Sequence, residues 1–481
     1  MSRKKLPTAT PFQLFCEKGL LVLLMILAAF HLLLSFGRHF LAPENMIARS
    51  ELLLKLIRIE KWYALALVLI ALVYLILCKT KFEPTWYRVK AWRKRLVSVE
   101  GILLTCLFLY YLFCCYLQSK AYRNIFLNAD LYLFDFAVLV FGLFTLPLAV
   151  GAEKAKQYID ILLHIVMAVS TVFIAWALWN LLHLNIVKLP NGLELGMTDG
   201  YRLYLGVNAN IGAAIGLSMV LISLYMIAAH RWPIKLIYSV LLLPHLFATF
   251  LTNSRGCYLA LLVSLPLFVF MLLWTSLQKR RLLLRILVCG IAAGAAAVGV
   301  WLLRKGAFAL FESITHLGEL LGIDLDGAEL AREVGVDGSR LKIWRTSLGM
   351  TVSDSKAFFR GIPYPLIPDL ICEKMTEIYG SGSVFAHAHN MILQTGLIEG
   401  VPGMLIYIAF LVKLVFPCVK VGISKYQQQY PGAYILPIII LAIIIVNLFE
   451  PFILFYLSIM GCLFFLFTGY IVAIYKDRQA N

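Results

Sequence analysis

Long apolar runs follow one another along most of this chain, and they limit the folds that it can adopt. Hydrophobic residues make up 61% of its 481 residues and charged residues only 14%, whereas a soluble domain has about 45–50% apolar and about 25% charged residues. The runs show no strand-like alternation, and in lipid only helices or closed barrels satisfy the backbone. The sequence therefore predicts an all-α fold, a polytopic bundle of membrane helices.

About twelve of these runs are long enough to cross a bilayer core of about 30 Å as helices. The first run follows Arg3-Lys4-Lys5. It is too long for the core of a signal peptide and no small-residue cleavage pattern follows it, so we predict a retained helix. The predicted membrane helices lie at residues 18–37, 61–78, 97–117, 129–150, 158–183, 204–228, 234–252, 256–275, 283–303, 389–416, 431–449 and 451–474.

One long polar segment, residues 304–388, interrupts the apolar runs. It divides the chain into helices one to nine at 1–303, a polar loop domain, and helices ten to twelve at 389–481. Helical character at 314–335 and at 339–352 predicts two short helices inside the segment. Because the rest of the chain offers little polar surface, we expect any chemistry to lie at this segment and its edges.

The distribution of basic residues predicts the orientation of the chain in the membrane. A net charge of +17 would suggest nucleic-acid binding in a soluble protein. Here the predicted cytoplasmic segments hold far more Lys and Arg than the short outer ones, which places both termini in the cytoplasm and residues 304–388 outside. We interpret the basic run at 90–95 as an anchor on anionic membrane lipids, so no nucleic-acid partner is expected.

The cysteines and histidines give no sign of a disulfide framework or a metal centre. Cys372 is the lone cysteine of the polar segment, and none of the Cys and His spacings typical of metal sites occurs in the sequence. The pair Asp324 and Asp326 could suggest a metal-binding D-x-D, but a solvated turn explains it better. We therefore expect neither a metal nor another cofactor.

Asn253-Ser254-Arg255 lies where the apolar run at 256–275 begins, at the predicted outer surface. An arginine fork binds oxyanions, and the free amides of a helix N-terminus also favour an anion. These three residues are therefore candidates for phosphate binding. The alternative is an arginine whose side chain extends to the lipid headgroups.

Arg202 lies just before the run at 204–228, and Asn208 and Asn210 occupy the first turns of that run. Polar residues at membrane depth usually face a cavity or the interior of the bundle. All three are candidates for substrate contact, and hydrogen bonding between helices is the alternative for the two asparagines.

Arg340 and Trp344 are four residues apart inside the predicted helix at 339–352, so they share one helix face. This spacing makes Arg340 a candidate second anion ligand, with Trp344 beside it. The alternative is a solvated helix with one buried tryptophan.

His389-Asn390 opens the apolar run at 389–416. A histidine is a candidate general base because its pKa lies near the working pH, and a helix N-terminus disfavours its protonated form. The alternative is a histidine that lies at the membrane boundary and has no role in function. Further along the same run, Gly400 and Gly403 form a gap that would let another helix or a lipid tail approach.

Taken in order, these motifs resemble those of the O-antigen ligase and Wzy-type polysaccharide polymerase superfamily. The sequence His389-Asn390 is followed after nine residues by Gly400-Val401-Pro402-Gly403. This pattern follows a large outer loop that carries Gly338-Ser339-Arg340-Leu341, and Thr252-Asn253-Ser254-Arg255-Gly256 lies upstream. The nine-residue spacing selects His389 over the neighbouring His387. The resemblance covers roughly residues 200–450.

The resemblance implies a membrane glycosyltransferase of the GT-C type in the bacterial cytoplasmic membrane, with its active site facing outward. Such enzymes transfer a glycan from an undecaprenyl-pyrophosphate carrier to an acceptor hydroxyl, without a metal. By this analogy Arg255 and Arg340 hold the leaving pyrophosphate, and His389 orients or deprotonates the acceptor for an inverting displacement. Arg202 would be a further contact to an anion or a sugar.

Three other functions remain open. A Wzy-type polymerase would accept a second carrier-linked repeat, whereas a ligase would accept a lipid, another polymer or a protein. The form of the His-Asn-x9-Gly-x-x-Gly pattern favours the ligase slightly. A flippase for lipid-linked glycans would show repeated halves and cations deep within its spans, whereas these arginines lie at the outer rim. A structural partner of an envelope complex would leave the candidate residues dispersed.

Overall fold

The computed structural model describes ten segments of the chain, together with the single residues Ala66 and Leu69. The predicted helix at 18–37 lies outside the described residues, as does that at 61–78 except for those two positions. The segments are residues 98–121, 135–182, 186–188, 194–197, 203–206, 209–320, 338–380, 387–423, 429–454 and 458–480.

Thirteen α-helices occur in the described segments, and eight of them are long and apolar enough to cross a membrane. The eight are α1, α3, α4, α5, α6, α7, α11 and α13, so the predicted helical membrane fold is confirmed. In chain order the helices are α1 Val99–Ala121, α2 Thr145–Val150, α3 Ala152–Leu182, α4 Ala209–Ala229, α5 Ile234–Leu251, α6 Arg255–Ser276, α7 Leu282–Leu320, α8 Gly338–Val352, α9 Ser355–Arg360, α10 Ile367–Tyr379, α11 Met391–Ile423, α12 Leu436–Asn447 and α13 Ile459–Ala480.

Two of the predicted spans correspond to shorter apolar helices. A π-helix at Val138–Phe144 continues directly into α2, and a 3-10 turn at Ala433–Ile435 leads into α12. The total of twelve membrane helices therefore stays a prediction. The span predicted at 451–474 begins later than expected, because α13 starts only at Ile459.

Helices α4 and α13 form the centre of the bundle, since nearly every residue of their apolar stretches is buried. Helix α7 lies at the periphery, where it packs on α6 and leaves most of its apolar side chains exposed. A helix that is apolar all round is buried in protein or surrounded by lipid, so α4 and α7 represent these two environments.

A small antiparallel sheet, which the sequence analysis did not predict, precedes α4. Strands β1 Ile186–Lys188, β2 Glu194–Met197 and β3 Leu203–Gly206 pair in the order β1-β2-β3. The prediction that the helix begins at residue 204 is therefore wrong, since α4 begins at Ala209. Leu203 and Leu205 are both buried, which is the period-two pattern of a strand with one face packed.

The polar segment contains helices that pack on the bundle. Helix α7 continues without a break to Leu320, beyond the predicted edge at residue 304. The helix predicted at 339–352 is confirmed as α8, and α9 and α10 follow it. Both α8 and α9 pack against α11. The division at residues 303 and 389 stays a prediction, as does the part of the helix at 314–335 beyond Leu320.

Candidate active site

A buried glutamate, Glu450, lies at the centre of the candidate site. Only 3% of its surface is exposed. Its Oε1 atom accepts hydrogen bonds from Arg340 Nη2 at 3.0 Å and from Asn210 Nδ2 at 2.9 Å. His389 Nδ1 lies 3.1 Å from Oε2 and 3.2 Å from Oε1. Two of the three predicted catalytic residues, Arg340 and His389, thus meet on a carboxylate that the sequence analysis did not select.

Four separate elements bring these side chains together. Asn210 lies in the first turn of α4, and Arg340 lies in the first turn of α8. His389 lies two residues before α11, and Glu450 lies in the non-helical turn that follows α12. The site is therefore built from the ends of helices, where polar side chains can face a common space.

The turn that carries Glu450 is held by side-chain hydrogen bonds. Helix α12 ends at Asn447, and Pro451 follows soon after; a proline disfavours helix in the residue before it. Asn447 Oδ1 accepts from the backbone N–H of Phe452 at 2.7 Å. Ser458 Oγ donates to the carbonyl of Phe452 and accepts from the N–H of Gly461 at 2.9 Å. The carboxylate is thus presented by a defined turn.

Asn390 caps α11 and ties it to the turn of Glu450. Its Oδ1 accepts from the N–H groups of Ile392 at 2.9 Å and Leu393 at 3.1 Å, as an N-cap residue does. Its Nδ2 donates to the carbonyl of Leu448 at 3.2 Å. The predicted role of Asn390 in substrate binding stays a prediction, but its position fixes where His389 lies relative to Glu450.

His389 has a positive φ of 50°, a conformation that non-glycine residues seldom adopt. Such strained residues cluster at functional sites. Trp344 Nε1 donates to the His389 carbonyl at 3.3 Å, and its ring lies 6.2 Å from that of Phe449. The predicted neighbour of Arg340 on α8 therefore holds the backbone of the candidate base.

The contacts of His389 determine which ring nitrogen carries the proton in its neutral form. An ionised carboxylate only accepts hydrogen bonds, so the Nδ1 atom facing Glu450 carries the proton. The Nε2 atom is then left as a proton acceptor. The same logic operates when an aspartate orients a catalytic histidine.

The pKa values of the neighbouring groups agree with this assignment. Burial alone would raise the pKa of Glu450, but His389, His387 and Arg340 together hold it below its ordinary value. Burial, together with the neighbouring His389 and Arg340, lowers the pKa of His387 to about 3 against the opposing effect of Glu450. At neutral pH the site thus contains an ionised Glu450 and a neutral His387.

His387, which the sequence analysis set aside in favour of His389, also belongs to the cluster. Its Nδ1 accepts from the backbone N–H of His389 at 3.2 Å, and its Nε2 lies 3.7 Å from Glu450 Oε2. The two imidazole rings are 4.2 Å apart. His387 therefore supports the backbone of His389 and faces the same carboxylate.

His387, His389 and Glu450 could by distance hold a metal ion, since their ligand atoms all lie within 4.8 Å of one another. In the present arrangement Glu450 Oε1 accepts from Arg340, and the Nδ1 proton of His389 occupies the direction in which a metal would bind. His389 and Glu450 thus form a hydrogen-bonded pair, and a metal could bind His389 Nδ1 only after the proton on that atom had left.

The start of α6 lies against the turn of Glu450. A Cβ atom added at Gly256 would lie 3.2 Å from Phe449 Cβ, so the glycine permits this close approach. Cys257 interacts with Ser254 and lies within electrostatic reach of Glu450 and Arg340. Arg255, the third predicted catalytic residue, is half-buried in the first turn of α6, one residue before Gly256.

Asn253 lies just before α6, and the two motif glycines lie further along α11, about three turns after His389. Asn253 precedes α6 with a φ of 51°, and Arg304 Nη2 lies 3.4 Å from its Oδ1. Gly400 breaks α11 with a φ of 71°, and a Cβ there would lie 2.3 Å from the carbonyl oxygen of Phe358 in α9. At Gly403 a Cβ would lie 2.3 Å from Glu399 Cβ. The glycines thus form a kink on which α9 packs.

Arg202 and Asn208 lie outside the described residues, so their predicted roles stay predictions. Glu450 was missed because it lies between two apolar runs predicted as consecutive helices. An ionisable residue among membrane-spanning segments is by default a candidate functional residue. That rule would have selected Glu450 from the sequence.

Residues 237–408 match the model of a protein family described as O-antigen ligase. The matched stretch contains Arg255, Arg340, His389 and both motif glycines, and it ends before Glu450. No curated protein sequence matches the chain significantly. The family resemblance of this stretch is thereby confirmed.

Proposed function

We propose that the chain transfers a glycan from an undecaprenyl-pyrophosphate carrier to an acceptor hydroxyl. The match of residues 237–408 to the O-antigen ligase family model and the eight apolar helices long enough to cross a membrane support this proposal. The reaction takes place at the outer face of a bacterial cytoplasmic membrane. The observation that carries this proposal is the contact of His389 Nδ1 with the buried Glu450 at 3.1 Å, beside Arg340 and the start of α6.

In the proposed reaction His389 Nε2 accepts the proton of the acceptor hydroxyl. The acceptor oxygen forms a bond with the anomeric carbon of the glycan as the bond from that carbon to the pyrophosphate oxygen breaks, with inversion. Glu450 keeps the imidazole in the correct tautomer and stabilises the imidazolium that forms. Asn210 and Arg340 hold Glu450 through its Oε1 atom.

The leaving pyrophosphate gains negative charge as the bond breaks, and preorganised cations stabilise such charge. Arg255 lies at the N-terminus of α6, where free amides add to its effect. Arg340 is paired with Glu450, and 25% of its side chain is exposed. We assign it two tasks: it holds the Glu450–His389 pair and meets the phosphoryl group nearest the sugar. With this charge supplied by arginines, the step requires no metal.

The test uses purified protein in lipid nanodiscs, an undecaprenyl-pyrophosphate-linked oligosaccharide, and candidate acceptors with or without EDTA. Transfer should survive EDTA and fall sharply in Arg255→Ala, Arg340→Ala and His389→Ala. Arg345→Ala, which removes an exposed arginine from the same helix as Arg340, is the matched control and should transfer normally.

The productive acceptor decides between the two kinds of transfer. A carrier-linked repeat as acceptor would identify a polymerase, and a lipid, polymer or protein acceptor would identify a ligase. Absence of transfer with every acceptor, together with movement of the carrier lipid across sealed vesicles, would contradict the enzyme proposal in favour of a flippase.

A further inference from the structure

Two arginine–aromatic stacks join α6 to α7, one towards each end of the helix pair. The guanidinium of Arg285 lies 3.7 Å from the centre of the Trp274 ring, and its Nε donates to the Trp274 carbonyl at 2.9 Å. The guanidinium of Arg304 lies 4.5 Å from the centre of the Tyr258 ring. Each stack combines a cation with the negative face of an aromatic ring.

The separation of the stacks matches the thickness of a membrane. At 1.5 Å per residue, about 28 Å of helix separate Arg285 from Arg304 along α7, and a bilayer core is about 30 Å thick. Aromatic residues and long cationic side chains collect at the two membrane–water interfaces. The stack of Arg304 and Tyr258 therefore lies at the interface where the candidate site is, and the stack of Arg285 and Trp274 lies at the other.

The Arg304 stack adjoins the predicted phosphate-binding turn. Tyr258 lies three residues after Arg255 on α6, so the two share a helix face. Arg304 Nη2 lies 3.4 Å from Oδ1 of Asn253, which precedes α6 with its φ of 51°. Two separate contacts thus direct Arg304 to the start of α6, beside Arg255.

The two stacks differ in what holds the arginine. Arg285 makes both of its contacts with Trp274, one with the indole ring and one with the backbone carbonyl. Arg304 instead contacts two residues on either side of Arg255. Its neighbour Lys305 lies 4.0 Å from the ring of Trp301 on the same helix, a placement suited to contact with headgroups. Arg304 is therefore directed towards the site, and Lys305 is not.

We propose that Arg304 is a further substrate-binding residue of the proposed transferase. With Arg255 it holds the phosphoryl group that bears the polyprenyl chain, at the depth of the membrane interface. Arg340, beside His389 and Glu450, meets the phosphoryl group that bears the sugar. Guanidinium groups bind phosphoryl oxygens with two parallel hydrogen bonds. Arg304 and Arg255 would bind one phosphoryl group of the pyrophosphate in this way, and Arg340 would bind the other. This inference rests on the proposed function.

The test measures binding of undecaprenyl pyrophosphate without a sugar to the full chain in nanodiscs, so that no catalysis is needed. Arg304→Ala should weaken this binding about 10- to 100-fold, the range expected for a charged hydrogen bond. Undecaprenol, which lacks phosphate, should bind equally to wild type and variant. Arg285→Ala is the matched control, since it removes the equivalent stack at the opposite interface and should leave binding unchanged.

A kinetic measurement separates binding from chemistry. Arg304→Ala should raise the KM for the carrier-linked donor by a similar factor and change kcat less than twofold. Arg304→Gln keeps an amide for Asn253 without the charge, and should show the same loss if the charge binds phosphate. It serves as the second variant if the alanine variant does not fold.

The outcomes distinguish this inference from the function on which it rests. If wild type binds undecaprenyl pyrophosphate and the folded Arg304 variants bind it equally well, the inference is overturned while the transferase remains. Equal losses in Arg304→Ala and Arg285→Ala would overturn it too, because the effect would then come from the packing of α6 on α7. If wild type binds no pyrophosphate lipid, both proposals fail.

Discussion

Two buried carboxylates, Glu450 and Asp160, lie near opposite ends of α4, and each is accompanied by a histidine and a cation. Asn210 in the first turn of α4 donates to Glu450, and Tyr225 near the end of α4 donates to Asp160 at 3.1 Å. The two donors are separated by about 22 Å of helix at 1.5 Å per residue. Similar chemical groups thus occur at both ends of α4, and the two sites differ in how these groups are arranged.

The Asp160 network joins neighbouring helices of the bundle. Lys156 Nζ, one turn earlier on the same helix, lies 2.6 Å from Asp160 Oδ2, and His230 Nε2 lies 3.3 Å from it. His164, one turn later on α3, pairs through Nδ1 with the Tyr238 hydroxyl at 2.6 Å. The partners come from α3 and from α4, α5 and the turn that joins them, so the network holds packed helices together.

The Glu450 cluster is assembled where several helices start. Asn210 and Arg340 lie in the first turns of α4 and α8, and His389 lies two residues before α11. The His389 side chain is 19% exposed, whereas that of Glu450 is 4% exposed. A buried carboxylate that orients a partly exposed histidine is typical of a catalytic pair. The side chains of His389 and His230 are almost equally exposed, at 19% and 18%. The meeting of several helix ends, rather than residue type or exposure, therefore distinguishes the candidate active site from the structural ion pair.

The largest effect is expected for Glu450→Gln. An amide cannot stabilise the imidazolium and can favour the wrong tautomer of His389, so transfer should fall roughly 10³- to 10⁴-fold, as for the equivalent change in a catalytic triad. Single-turnover transfer on folded protein measures this. Glu450→Asp keeps the charge and should recover part of the activity. Normal transfer by the glutamine variant would show that Glu450, like Asp160, has only a structural role.

Asp160→Asn should instead lower the stability of the protein and leave its transfer activity unchanged. Removing the charge leaves Lys156 without its ionic partner, and breaking a buried pair in this way costs roughly 3 kcal/mol of folding free energy. We expect a lower Tm in nanodiscs and unchanged transfer per folded molecule. A loss of transfer without any loss of stability would mean that this end of α4 also takes part in the reaction.

His387 should make the stability of the protein depend on pH. Its folded pKa of about 3 lies below the ordinary value of 6.5, so between these values the unfolded chain binds more protons. Stability should therefore rise with pH across this window, by up to about 1.4 kcal/mol per pH unit for one proton. His387→Gln should flatten the dependence of Tm on pH between 4 and 6.5, and an unchanged slope would contradict a neutral His387 in the folded protein.

The smallest effect is expected for Trp344→Phe, which removes the hydrogen bond to the His389 carbonyl and keeps an aromatic ring beside Phe449. One hydrogen bond contributes about 1 kcal/mol, so transfer should fall about fivefold. As a control, Trp274→Phe alters an aromatic residue at the far end of α6 and should leave kcat unchanged.

Much of the fold could be predicted because membrane helices depend on local composition. The apolar runs predicted α1 and α3 to α7 within a few residues at most ends, apart from the earlier start of α3, the late start of α4 and the extension of α7 to Leu320. The three-stranded sheet before α4 was missed, because its short strands depend on pairing with each other rather than on a long alternating pattern. The turn between α12 and α13 is longer than predicted, because apolar residues flank it on both sides.

The sequence by itself determined the membrane bundle, the helix that carries Arg340 and Trp344, and the apolar run that begins at His389. These follow from hydropathy and residue spacing, which act over a few residues. Only the tertiary structure decided that Glu450 joins Asn210, Arg340 and His389, and that Arg304 contacts Asn253. Those pairs are far apart in the chain, and the packing of helix ends selects which polar groups meet.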